Sequence, residues 1–206
     1  CLHHLTIDDR AGNLKRGTLA GKTNPPSRKR EHIEKLWWGI NKGFIDSVGS
    51  DAGRNVNKFP ADNDIWKTTL GGPYLEELLP ILLDEGVNKG RLTLERLVEV
   101  RSLNNAKIHG MYPQKGTIAI GSDADLVLVD LKRTKKLTPE IMHGGSGYTI
   151  YEDWKLTGWP VLTILRGKII MEDGQLVEKE GVGRYLPCTP PFREKNESSN
   201  RTRLSG

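Results

Sequence analysis

A chain of 206 residues with a net charge of +5 has room for one large domain or two small ones. Its apolar runs fall short of a membrane span and no basic-then-apolar leader is present, so the cytoplasm is the expected compartment and no membrane partner is expected. Two cysteines, Cys1 and Cys188, exclude a disulfide scaffold. Basic residues concentrate between Arg16 and Lys35, with no aromatic residue among them until Trp37. A base-stacking platform would interleave the two, so a solvated basic loop is expected and nucleic acid is not. The first residue is Cys1 rather than Met, and the sequence reads as processed or as a piece of something longer.

In chain order, 1–7 reads as a strand and its exit. Adjacent His3 and His4 on a strand point to opposite faces, so they cannot share one ion. One packed ring and one exposed ring are expected instead. Thr23-Asn24-Pro25-Pro26-Ser27 is a stiff loop, because each proline fixes its own φ and restricts the residue before it. Such a loop either holds Asn24 against a ligand or is simply a turn. From Glu31 to Lys42, Ile33, Leu36, Trp37 and Ile40 recur at helical spacing and predict a helix with one apolar face.

Phe44, Ile45 and Val48, bounded by Gly43 and Gly49, predict a short buried strand ending in Ser50-Asp51-Ala52-Gly53. A helix followed by a buried strand is the αβ step of a parallel sheet or barrel, where the carboxyl ends of strands carry the chemistry. Asp51 is therefore the first candidate for a functional carboxylate; the alternative is that it caps the next turn.

Gly71-Gly72-Pro73 opens a further helix, with Leu75, Leu78, Leu79, Leu82 and Leu83 as its apolar stripe, Pro80 as an expected kink and Gly86 as its stop. Thr93 is the expected N-cap of another, with Leu94, Leu97 and Val98 facing inward. Asn105 to His109 predicts a helical turn closed by Gly110, in which His109 is structural. From Pro113 the texture changes. Runs at 117–120, 126–129, 161–165, 168–171 and 175–177 predict a small antiparallel β module, with hairpin turns at Arg166-Gly167 and Asp173-Gly174. The polar composition of 194–206 predicts a disordered tail. The expected organisation is therefore 1–112, 113–186 and a basic, polar tail at 187–206.

Two stretches, Tyr112-Pro-Gln-Lys-Gly-Thr-Ile-Ala-Ile-Gly-Ser-Asp-Ala-Asp-Leu-Val-Leu-Val-Asp130 and Tyr151-Glu-Asp-Trp-Lys-Leu-Thr-Gly-Trp-Pro-Val-Leu-Thr-Ile-Leu-Arg-Gly-Lys-Ile-Ile170, carry a resemblance. Together with Gly71-Gly-Pro73, 85–91 and 181–186, they make the chain resemble the C-terminal part of the cyclic amidohydrolases, the dihydropyrimidinases and D-hydantoinases. The resemblance implies the C-terminal portion of a (β/α)8 barrel followed by a β-sandwich-like module, the N-terminal half of the barrel being absent. It implies hydrolysis of a small cyclic amide at a pair of divalent metal ions, zinc by expectation, in a homotetramer. Asp51 falls on the family's metal-binding and proton-shuttling aspartate. Asn24 falls on a substrate-contacting loop, and Leu70 where the main chain helps hold the ring. The family follows that aspartate with a His, where this chain has Ala52. Its His-x-His pair, carboxylated Lys and two further His lie upstream of the matching region. A chain without them is expected to hold no metal pair and to be inactive alone; the alternative is a non-catalytic, dihydropyrimidinase-related scaffold.

Overall fold

The computed structural model describes residues 1–10, 14–15, 17–53, 59, 62–178 and 181–187. The expected tail beyond Pro187, Cys188 included, and most of 54–61 lie outside the described residues.

The chain begins with a 3₁₀ turn at Leu2–Leu5, not a strand, which brings the His3 and His4 rings to 4.1 Å between centroids instead of onto opposite faces. His3 is buried and His4 half-buried. A short helix α1 (Gly17–Ala20) leads through the proline loop to α2 (Arg30–Asn41). The apolar spacing reads α2 correctly. Ile33, Trp37 and Ile40 are all buried, and the Trp37 indole N–H donates to Leu5 O at 2.8 Å, fastening the first turn to the helix. At its end, Phe44 N–H donates to Gly39 O and Gly43 N–H to Ile40 O, the paired bonds that close a helix C-terminus.

The strand expected at 44–49 does not form. Phe44 is largely exposed and stacks on Trp38 at 5.2 Å, and only Val48 of the run is buried. No described strand lies alongside to pair with it. Its backbone is held from the helices instead: Val48 N–H donates to Val100 O, while Arg96, Arg101 and Asn104 donate to the carbonyls of Ile45, Val48 and Asp46.

Helix α3 (Leu78–Ile81) continues as a wider π-helical stretch over Leu82–Asn88. Pro80 sits in the first turn, where its absent N–H has no intrahelical partner, so it breaks no helix bond. Leu78, Ile81, Leu82 and Leu83 are buried and Leu79 packs against them, but Leu75 precedes the helix and is exposed. Helix α4 (Leu94–Val98), again continued by a π-helical stretch at Glu99–Leu103, is capped as expected, with Arg96 N–H donating to Thr93 Oγ1 at 3.1 Å. Its inward stripe is Leu97 and Val100. Leu94 and Val98, four apart on the other side, are exposed, contrary to the sequence pattern. Helix α5 (Asn104–Ile108) ends at Gly110 as predicted.

Strands β1 (Leu126–Lys136), β2 (Lys155–Leu165), β3 (Lys168–Glu172) and β4 (Gln175–Leu176) form one antiparallel meander in sequence order. Both tight turns take positive φ at their two central residues, 48° and 79° at Arg166-Gly167 and 46° and 83° at Asp173-Gly174. That is the two-residue geometry matching strand twist. The run at 117–120 makes no strand, and Ile118 and Ile120 are exposed.

The meander docks on the π-helical stretch after α3. Asp84 accepts from Thr157 N–H at 2.9 Å and the Asn88 amide donates to Thr157 O at 2.8 Å. At the crossing, a Cβ on Gly158 would meet Leu83 Cβ at 2.8 Å, so β2 approaches the helix as closely as only glycine permits. One core thus runs from Leu2 and Trp37 through Leu82 to Leu137, Tyr151 and Trp159.

Candidate functional site

Three loops converge where the sequence places its candidates. Gly71 N–H, next to Leu70, donates to Lys22 O at 3.1 Å, two residues before Asn24. Gly53 N–H, two residues after Asp51, donates to Gly72 O at 3.0 Å. Lys22 Nζ reaches the Ile65 and Thr68 carbonyls at 2.6 and 2.7 Å and anchors the segment that leads to Leu70. The segments bearing Asn24, Asp51 and Leu70 are therefore stitched together by main-chain bonds. All three residues are exposed, and Asn24 precedes Pro25 through a cis peptide bond.

Asp51 takes φ = 52°, a left-handed conformation uncommon for a residue with a side chain, though Asp tolerates it better than most. Beside it, Ala52 N–H donates to Ser50 Oγ at 3.3 Å. The Asp51 carboxylate acts electrostatically on His4 and on the Tyr74 hydroxyl. Burial chiefly holds His4 below the ordinary imidazole value, with Asp51 opposing and Arg28 adding to it. A cavity of ≈240 Å³ opens alongside, with His4, Pro25, Arg28, His32 and Ser47 among its lining, while Asp51 and Asn24 lie outside that lining.

Among the described residues no group of three or more His, Cys, Asp or Glu side chains could hold a metal ion. A divalent pair needs more donors than Asp51 and His4 supply, so the residues present do not fit the expected metal pair by themselves.

Asp51 and His4 thus stand near one cavity, and a carboxylate and an imidazole are the side chains that most often carry protons. The chain belongs to the amidohydrolase family, which it matches over residues 3–170. It is 42% identical over 167 residues to the L-hydantoinase of Paenarthrobacter aurescens, covering 80% of this chain and 36% of that protein. It is 39% identical to the D-hydantoinase of Geobacillus stearothermophilus, covering 79% of this chain and 35% of that protein. Its fold superposes on the dihydropyrimidinase from Brevibacillus agri NCHU1002 with a TM-score of 0.86 at 31% identity, over 94% of this chain and 43% of that one. The chain thus spans well under half the length of the relatives it matches. No described helix is long and apolar enough to cross a membrane.

One buried carboxylate escapes the sequence reading. Glu77 is 1% exposed, its Oε2 has no hydrogen-bond partner, and burial raises its carboxyl to about 7. Glu77 is the N-cap of α3, three residues after buried Tyr74 and four before buried Ile81, a spacing that puts it among apolar side chains, where a carboxylate is out of place.

Proposed function

We propose that the chain is the C-terminal part of a hydantoinase- or dihydropyrimidinase-type hydrolase, which opens the carbon–nitrogen bond of a small cyclic amide. The convergence of the Asn24, Asp51 and Leu70 segments at one place carries this reading. Water adds its oxygen to the ring carbonyl, the C–N bond breaks, and the proton released passes through the Asp51 carboxylate to the departing nitrogen. Asn24 and the main chain at Leu70 hold the ring. Asp51 is also one ligand of a divalent metal pair, zinc by expectation, whose remaining ligands lie outside these residues. Residues 1–112 belong to a barrel layer and 113–186 to the β module, and the full-length protein is a cytoplasmic homotetramer.

The test is Asp51→Asn in the full-length protein, with hydantoin and dihydrouracil as substrates. Turnover is expected to fall by about 10²–10⁴-fold with the fold retained. Near-normal turnover in that variant overturns the assignment. A second reading, a non-catalytic relative with a scaffold role, is favoured by Ala52, which replaces the His that follows the aspartate in the resembling enzymes. Absence of both bound metal and turnover in the full-length wild-type protein decides for it.

A further inference from the structure

A second cavity of ≈260 Å³ lies between the start of α3 and the 139–148 loop, and neither Asn24, Asp51 nor Leu70 lines it. Two carboxylates face it from the helix side, and they are not equivalent. Glu76 is committed: it accepts His143 N–H at 2.7 Å and meets His143 Nδ1 at 2.9 Å, which pins the Gly144-Gly145-Ser146-Gly147 loop over the helix. Glu77 is not. It lines the cavity, is 1% exposed, and keeps an unpartnered Oε2. From the opposite wall, Ser146 Oγ is likewise buried without a partner. Buried polar atoms are nearly always satisfied, and a carboxylate oxygen left bare in a low dielectric is costly.

The lining defines what would satisfy them. No Lys or Arg is among the described residues that line it, so the group that suits an ionised Glu77 is a donor and, by charge, a cation. A divalent metal needs more ligands than one carboxylate oxygen and one hydroxyl, and calcium about 6–8 oxygens. Pro73, Pro139, Met142 and Tyr148 give the rest of the wall apolar surface, which suits an alkyl chain and, at the Tyr148 ring, an ammonium. A carboxylate on the ligand would face Glu76 and Glu77, so amino acids are disfavoured. The volume lies just below the usual range of about 300–1,000 Å³ for drug-sized ligands, so the occupant has few heavy atoms.

We propose that this cavity is a second ligand site, for a small primary alkylammonium ion whose N–H groups donate to Glu77 Oε2 and Ser146 Oγ. Burial raises the Glu77 carboxyl to about 7, with Glu76 adding to it and Thr149 opposing. The other ionisable groups around it are His143, Tyr74 and Tyr148. Binding needs the ionised form and is therefore about tenfold weaker at pH 6 than at pH 8.

The experiment titrates the full-length protein at pH 8, at constant ionic strength, with propylammonium, tetramethylammonium or potassium chloride, following heat and melting temperature. Expected is one saturable propylammonium site per chain, bound at least several-fold more tightly than tetramethylammonium, which has no N–H to donate. Glu77→Gln should abolish it, and so should Ser146→Leu, which fills the cavity without touching the carboxylate. Asp51→Asn should leave it intact, which separates this site from the proposed hydrolytic one. Equal responses to all three cations, no saturable binding in the wild-type protein, or binding that survives Glu77→Gln overturns the proposal. The wild-type selectivity decides even if a variant fails to fold.

Discussion

The segment from Phe44 to Val48 and the strand β2 are both short apolar stretches packed against helices, yet they are held in opposite ways. In β2 the main chain pairs with main chain on both sides, β1 and β3, with side chains adding at Leu156 and Thr157. Around Phe44–Val48 the N–H groups of Phe44, Ile45 and Val48 find main-chain carbonyls, but the carbonyls are held by side chains: Arg96 to Ile45 O at 3.0 Å (and to Ile40 O at 2.8 Å), Asn104 to Asp46 O at 2.8 Å, and Arg101 to Val48 O at 3.3 Å. A sheet satisfies its backbone with groups every residue carries, so its stability is indifferent to charge. The helical layer depends on particular long or ionisable side chains, each of which one substitution can remove.

The largest expected difference between the two regions comes from Trp37. Its ring is buried under Gly86, where an added Cβ would come within 3.1 Å of Cζ3, its N–H is bonded to Leu5, and the Arg91 guanidinium lies 5.7 Å from the ring centroid. Trp37→Ala is expected to cost ~3–5 kcal/mol in chemical denaturation. Ile169→Ala, at a 43% exposed position of β3, should cost under ~1 kcal/mol. Equal losses would mean that the core is not centred on the helical layer.

Next in size is an effect confined to one pH range. The Glu77 carboxyl is raised from its ordinary 4.5 to about 7 by burial, so between those values the folded state binds more protons than the unfolded chain. Its contribution is therefore fully present below about pH 4.5 and is lost as pH rises through about 7. Glu77→Gln, which resembles the neutral acid, should match the parent near pH 4.5 and exceed it by about 3 kcal/mol at pH 8. A stability difference that does not grow with pH would show that the carboxyl is solvated.

Arg96 tests the side-chain clamp itself. Arg96→Ala leaves the Ile45 carbonyl without its side-chain donor, removes one of the donors to Ile40 O, and frees Glu99, paired to it at 2.6 Å. Loss of ~1–3 kcal/mol is expected. Amide exchange should quicken from Ile40 to Val48 while β1 to β3 stay protected. Uniform loosening of both regions would refute the contrast drawn between them.

How much of this was legible in the sequence follows from the same contrast. Strands β3 and β4 and both hairpin turns are legible almost residue by residue, because Arg166-Gly167 and Asp173-Gly174 are local instructions and the strands they join are neighbours in the chain, whereas the expected runs at 126–129 and 161–165 cover less than half of β1 and β2. Helix α2 and the Thr93 cap were legible for the same reason. The strands expected at 1–7, 44–49 and 117–120 were not formed, because an apolar run becomes a strand only when another backbone lies beside it, and composition is silent on that. Of the expected inward stripe of α4, Leu97 is buried but Leu94 and Val98 are exposed; they are as apolar as Leu97 and Val100, and the sequence does not say which side faces the core. At the site, Asp51, Asn24 and Leu70 were named from pattern and resemblance, while the bonds Gly71–Lys22 and Gly53–Gly72 that join their loops are long-range main-chain contacts. Glu77 and Ser146, far apart in sequence, could be paired only by the fold.

The smallest expected effect concerns the turns that make the sheet self-sufficient. Gly167 sits at φ = 79° with no atom within 4 Å of where a Cβ would stand, so Gly167→Ala meets conformational strain and no overlap. A cost of ~1–2 kcal/mol follows. At Gly158, φ = 103° adds the same kind of strain, but the Cβ would also stand 2.8 Å from Leu83 Cβ, where sheet and helix touch. Gly158→Ala should therefore cost more by a further ~1–3 kcal/mol for overpacking. Its damage should spread into the π-helical stretch after α3, whereas that of Gly167→Ala stays in the β2–β3 hairpin. Amide exchange of Leu83 and Asp84 separates the two variants. If it quickens equally in both, the hairpin is not the independent unit that its local turn chemistry implies, and the sheet depends on the helical layer as much as the Phe44–Val48 segment does.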